Sequence, residues 1–358
     1  MAETYIEMFR EEHYPGIFQE MAEWTIRQFE ANEIKIIESM EKVMRGYLEQ
    51  IASLQAGAQA PAVAEMEIAF LYTSLNEGKS RFRLDCYGEG GRVLGESISS
   101  AYLSADWLTA GLEELVVKLR QCAEKEHLRR YIREAELEVL KLRAARSLLG
   151  YFAGRMKYIL REALDMGSLA KVKKESSFAI QFGEYMDWHK TLYAILPEVD
   201  VFNCDRETEL RFRDFPAILY QEKRFAGLLM DQARFKDCTF TRTVIENCRM
   251  NDCLFDRCTF DNVEIINTSM AGCIFQKCTF NGTSFDRVVF YGSPLEGYET
   301  EYFQPAEFYE CSLEQGHFKG CVLTYCMTQG CQAQDVTITG SNVEYSGFWD
   351  MDGIEITE

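Results

Sequence analysis

The sequence predicts a two-domain α+β protein: a mainly helical N-terminal domain with a small antiparallel sheet, then a four-sided β-solenoid. Three observations lead there. The chain has 358 residues, about twice a common domain length. Its first 200 residues place apolar side chains at helical spacing. From residue 228 onward the large apolar residues recur every five positions, a period that fits neither a helix nor a flat strand.

The elements follow in order. From about Tyr14 to Leu54 the pattern is helical, and Ile37, Met40, Met44, Tyr47, Ile51 and Leu54 keep 3-4-3-4-3 spacing, a candidate seam for another helix. Ala56–Pro61 ends it. Met66, Ile68, Phe70 and Tyr72 alternate, Asn76–Lys79 turns the chain, and Phe82, Leu84 and Cys86 alternate back, which predicts a β-hairpin. A third strand is expected around Arg92–Ile98, so the sheet spans about 65–98. A helix from Asp106 carries Leu108, Leu112, Leu115, Val116, Leu119 and Cys122. A longer one runs to about Leu164, with Leu128, Ile132, Ala135, Val139 and Leu142 as one stripe and Ala145, Leu149, Phe152, Met156 and Ile159 continuing it after a slip. The first domain is expected to cover 1–200. Ser176–Gly183 and the run to Phe225 are read as connecting segment, with 201–227 capping the first coil, because an uncovered coil exposes strand edges.

The period of five is carried by Met230, Phe235, Phe240, Ile245, Met250, Phe255, Phe260, Ile265, Met270, Phe275, Phe280, Phe285 and Phe290. Two residues before each stands a small or β-branched one, such as Cys238, Thr243, Cys258 or Val263. A second period of 20 lies inside the first, since Cys-Thr-Phe recurs at 238–240, 258–260 and 278–280. Four fives then make one coil, and like residues stack from coil to coil at about 4.8 Å. The phase breaks at 291–305, a turn-rich acidic excursion, and resumes from Phe308 through Leu313, Phe318, Leu323, Thr328, Ala333, Ile338 and Val343 to Phe348. Five to six coils are expected over 228–348, with 349–358 as a C-terminal cap or a dimer segment.

This pattern resembles the pentapeptide repeat family over about Leu228–Phe348, on 22 registers. The resemblance implies a right-handed quadrilateral β-helix with the small and large residues pointing inward. Some members of that family are acidic, dimeric mimics of duplex DNA that bind DNA gyrase, and others are adaptors. Those mimics are solenoid through most of their length, whereas here 200 residues precede the coils.

The sequence offers no catalytic constellation. Of 13 cysteines, ten lie in the repeat, and all ten (Cys238, Cys248, Cys253, Cys258, Cys273, Cys278, Cys311, Cys321, Cys326 and Cys331) occupy the small inward phase. They are read as core filler, without metal or cofactor. His13, His127, His189 and His317 are scattered and read as solvated. Gly78-Lys79-Ser80 lacks the upstream glycine of a phosphate loop, and Gly88–Val93 lacks the third glycine of a dinucleotide fingerprint. Lys171, Lys173 and Lys174 read as a solvated linker.

Charge is more informative. The chain sums to −19, of which residues 291–358 hold −11, with 12 acids against Lys319, while 228–290 is near neutral at −1. Such a balance disfavours direct nucleic-acid binding and favours a protein partner with a basic surface. The candidate acidic surface is Glu296, Glu299, Glu301, Glu307, Glu310, Glu314, Asp335 and Glu344. The start lacks a secretory pattern and no membrane-spanning run is visible, so a cytoplasmic protein is expected. The function expected is non-catalytic binding or scaffolding, with DNA mimicry towards an enzyme such as gyrase as the alternative; a homodimer through the tail stays open.

Overall fold

The computed structural model describes residues 2–205, 207–292 and 303–357, in two compact units, Met1–Leu192 and Tyr193–Glu358. The first contains α1 (Ala2–Met8), a π-helical turn, α2 (Tyr14–Ala31), α3 (Glu33–Ala56), β1 (Val63–Phe70), β2 (Arg81–Tyr87), α4 (Gly91–Leu94), β3 (Ser99–Ser104), α5 (Asp106–Lys125), α6 (Glu134–Ala163), α7 (Met166–Lys171), β4 (Lys174–Glu184) and the first four residues of β5 (His189–Ile195). The strands form one sheet in the order β3-β2-β1-β4-β5. Helices bury its apolar side. Phe29, Trp107 and Phe152 meet with ring centroids 4.6–5.0 Å apart, joining α2, α5 and α6.

Several expectations shift. The first long helix breaks at Asn32, whose Nδ2 donates to Gln28 O at 2.8 Å. The sheet has five strands rather than two or three, and it is mixed: β1 runs antiparallel to β2 and parallel to β4. Ser176–Gly183 is therefore strand, not linker, because its partner lies more than a hundred residues upstream, beyond the reach of local pattern. The third strand is Ser99–Ser104, since Gly91–Leu94 coils into a helical turn. In the long helix Val139 and Leu142 are exposed, whereas Ala145, Leu149, Phe152, Met156 and Ile159 are buried. The helix begins at Glu134, so a stripe counted from Leu128 starts in the wrong phase.

In the second unit, three-residue strands alternate with two-residue corners. Three faces are parallel sheets of six, six and seven strands, and the fourth is a line of single bridges, Leu229–Arg249–Ser269–Val289–Val322–Asn342. The register is twenty: Phe240 pairs with Tyr220 and Phe260, and Phe260 with Phe280. Their rings stack at 4.8–4.9 Å. A second column, Phe215, Phe235, Phe255, Phe275 and Phe308, stacks at 4.7–4.9 Å. Every fifth residue, two after each inward centre, turns the corner. Its φ is positive, as at Asp237 (55°), Arg242 (48°), Asn247 (52°) and Gly272 (71°).

The coils number about seven, beyond the five to six expected, because the first one starts at Asp214 inside the segment read as connector. Arg213, Ile218 and Lys223 hold its small-residue positions, and this hides the repeat. Val199, Val201 and Cys204 pack on that end, and Phe202 sets its ring 5.0 Å from Phe225. At the other end Ile354–Thr357 pairs in parallel with Val336–Thr339, so the tail adds a last rung to the chain's own sheet. The acidic excursion at 293–302 lies outside the described residues.

Two tests follow from this packing. Phe260→Ala removes the middle ring of a column and is expected to lower the unfolding free energy by about 3–5 kcal/mol in chemical denaturation. Burial raises the Asp231 carboxyl from 3.8 to about 6, against the pull of Arg249 Nε at 2.6 Å and the donated N–H of Asn251. The folded chain thus holds this proton more tightly than the unfolded chain does. The stabilisation is greatest below pH 3.8 and is lost as pH rises through 6. Relative to Asp231→Asn, the wild type should lose on the order of 2 kcal/mol between those two pH values.

Candidate functional site

The corners and faces of the solenoid set where each charge points. In the proximal coils four acids are matched to an arginine of the next coil: Arg234–Asp214, Arg242–Glu222, Arg249–Asp231 and Arg257–Asp237 meet at 2.6–2.7 Å. Stacking at a twenty-residue register brings each of these four arginines against an acid of the previous coil. The distal coils break this arrangement. Glu310 has Lys277 at 3.6 Å, and Glu307 accepts from Tyr309 OH at 2.8 Å. Among the described residues, Glu314, Asp335 and Glu344 are exposed and have no basic partner.

Of the acids proposed from the sequence, Glu296, Glu299 and Glu301 lie outside the described residues. The structure brings Glu307, Glu310 and Glu344 to one face and its flanking corners. Glu307 sits in strand Glu307–Tyr309 beside Met327, Glu310 turns the next corner, and Glu344 precedes the corner residue Tyr345. Glu314 is on the adjoining face, and Asp335 turns the corner after it.

The sequence reading missed what surrounds these acids. Tyr325 and Tyr345 occupy stacked corners, with ring centroids 5.2 Å apart and planes 9° from parallel. Tyr291 meets Tyr325 edge-on at 5.4 Å. Tyr345 is 79% exposed, Trp349 is 63% exposed, and Met327 is about half exposed. Two tyrosines twenty residues apart at a position elsewhere filled mostly by Asp, Asn, Arg or Gly were the available signal.

The candidate helical seam is not a free surface. Met40, Met44, Tyr47 and Ile51 are fully buried, while Ile37 and Leu54 are half-buried, because α3 packs against α6, α7 and β3 of its own unit.

His189 is likewise buried rather than solvated: its Nε2 hydrogen-bonds Glu67, on the polar side of the sheet. Glu67 and Asp85 are cross-strand neighbours with no exposure. Arg92 Nη1 reaches Glu67 at 3.1 Å, Arg83 Nε lies 2.7 Å from Asp85, and Ser97 and Ser100 donate to Asp85 Oδ1 at 2.7 and 2.5 Å. Polar residues alternating inside the apolar strands (Glu65 and Glu67, Arg83 and Asp85) were the sequence signal for this cluster. Its charges are mutually compensated and clamp Gly91–Leu94 to the sheet. Among the described residues, a cleft of about 450 Å³ lies between α2 and α5 and another of about 500 Å³ beside the first coil; neither brings histidine or cysteine to an acid.

The repeat cysteines fill the interior. Burial pushes the Cys321 thiol up to about 11 and raises Cys253 and Cys326 further, so they stay protonated; Cys253 donates to Met230 O at 3.0 Å and Cys321 to Phe285 O at 3.3 Å. Among the described residues no group of three or more His, Cys, Asp or Glu is set to hold a metal, and no helix is long and apolar enough to cross a membrane.

No protein family and no curated protein matches the chain by sequence. Solved structures similar to it include HetL, a pentapeptide repeat protein involved in heterocyst differentiation regulation from the cyanobacterium Nostoc sp. strain PCC 7120, at 12% identity and TM-score 0.21, covering 39% of this chain and 92% of HetL. Full-length QnrB1, a plasmid-mediated fluoroquinolone resistance protein, is similar at 13% identity and TM-score 0.16, covering 40% and 93%. Rfr23, a pentapeptide repeat protein from the cyanobacterium Cyanothece 51142, follows at 14% and 0.15, covering 40% and 86%. The likeness is to the C-terminal coils.

Folding and surface roles separate by mutation. Glu67→Ala strands Arg92 and His189 and is expected to destabilise the first unit by about 3–5 kcal/mol. Glu314→Gln and Glu344→Gln break no ion pair and should shift stability by less than about 0.5 kcal/mol. Thermal and denaturant unfolding of the three variants checks both statements.

Proposed function

We propose that the chain is a non-catalytic binding protein whose distal coils dock a basic surface of a partner protein in the cytoplasm. The observation that carries this reading is the change in charge pairing along the solenoid. Most proximal acids have an arginine on a neighbouring coil or beside them in the same coil, whereas distal acids project into solvent around exposed aromatic side chains. Unpaired charge of one sign steers a partner of opposite sign, and aromatic residues supply contact area once it arrives.

Mimicry of duplex DNA fits less well. Among the described residues, the unpaired acids occupy about three rungs, roughly 14 Å at 4.8 Å per rung, the length of about four base pairs of duplex. That is a docking patch rather than a rod of phosphate-like charge.

Affinity capture from the native host at low salt, with quantitative mass spectrometry, tests the reading. A partner with a basic surface should be retained by the wild type and released as salt rises. The variant Glu310→Gln/Glu314→Gln/Asp335→Asn/Glu344→Gln should lose it at least about tenfold. A partner held equally by both proteins would overturn the proposal, and competition by duplex DNA with inhibition of gyrase would favour the alternative.

A further inference from the structure

Resting on that reading, we infer that the Tyr325–Tyr345 corner is a binding site for arginine side chains, with guanidinium groups stacking on the tyrosine rings and pairing with the flanking carboxylates. The partner is thereby specified as arginine-bearing rather than merely basic.

Tyrosine at a corner is the first reason. The left-handed conformation there suits Gly, Asn and Asp, and a bulky side chain in it is unusual. Tyr325 (φ 60°) and Tyr345 (φ 55°) adopt it one above the other. The backbone N–H of Tyr325 donates to Glu344 O at 3.0 Å, which fixes the lower ring under the Glu344–Tyr345 dipeptide. The two rings are nearly parallel, and the outer one is 79% exposed. Such a ring offers an open π face beside a carboxylate that has no basic partner.

Charge is the second reason. A guanidinium is planar, weakly hydrated and stays charged, so it stacks on an aromatic face and still forks its N–H groups onto a carboxylate. A lysine ammonium is a compact, strongly hydrated charge and gains less from the ring. Residues 291–358 hold Lys319 as their one Lys or Arg, so the site has little internal competition for its acids.

The same chain shows this grip twice. Arg234 lies 5.0 Å above the Tyr193 ring while its Nε meets Asp214 at 2.6 Å. Arg83 lies 5.2 Å from the Tyr185 ring and 2.7 Å from Asp85. At the distal corner the ring and the acid are present, and the guanidinium has to come from a partner.

Calorimetric titration of the full chain with a nine-residue arginine peptide and a nine-residue lysine peptide, at matched salt, tests the inference. The arginine peptide should bind at least tenfold tighter. Tyr345→Ala should remove that preference and leave lysine-peptide affinity within about twofold, while Tyr345→Phe keeps it; circular dichroism and melting confirm that each variant is folded. Equal, salt-sensitive binding of both peptides would overturn the arginine inference and leave the acidic docking reading standing. No binding of either peptide at low salt would overturn both. Loss of the preference in the four-carboxylate variant but not in Tyr345→Ala would move the site off the tyrosines and defeat the inference.

Discussion

One backbone constraint governs the second unit: every fifth residue takes a left-handed conformation, so the chain turns a corner after each three-residue strand. Four such corners close a square, and the closed square forces residue i to lie over residue i+20. Everything else is a consequence of that register. Inward positions become columns, which is why Phe240, Phe260 and Phe280 stack within 5 Å. Outward positions become ladders, in which an arginine finds an acid twenty residues back. Left-handed corners are unfavourable for most side chains. They persist because the ladder of backbone hydrogen bonds and the stacked interior over-determine them.

The same register explains why charge is a positional property here. In the proximal coils opposite charges share a ladder, and the surface is close to neutral despite many ionised groups. Distally, the arginines are gone and the acids remain, with two tyrosines where corners otherwise carry small or polar residues. Repulsion among exposed acids costs little in water at physiological salt, so a solenoid held by its interior tolerates a face of one sign. Stability and recognition thereby rest on different residues: the columns hold the fold and the ladders choose what meets it.

The first unit follows another logic. Its sheet has one apolar side covered by helices and one polar side that nonetheless buries Glu67 and Asp85. Two carboxylates on neighbouring strands are tolerable because Arg83, Arg92, His189 and two serine hydroxyls converge on them. Buried and compensated, the cluster locks the segment between β2 and β3 instead of presenting reactive groups to a cleft.

Much of the solenoid was legible because a repeat writes its geometry many times. Period five reported the corner, period twenty reported the coil, and the cysteines at the inward phase reported their burial. The first coil escaped because an end rung has no neighbour before it, and Arg213, Ile218 and Lys223 are therefore tolerated at its small positions. In the first unit the sequence determined helices at α5 and α6 and the hairpin of β1 and β2, all set by local periodicity. Only the tertiary structure decided that β4 lies parallel to β1, that the seam on α3 is spent inside the unit, and that His189 reaches Glu67 from 122 residues away. Those pairings depend on chain reversal over long separations, where burial and hydrogen-bond completion select the partner and local spacing carries no record of it. For the distal acids the sequence determined their sign and number; the square register decided which of them share a face with Tyr325 and Tyr345.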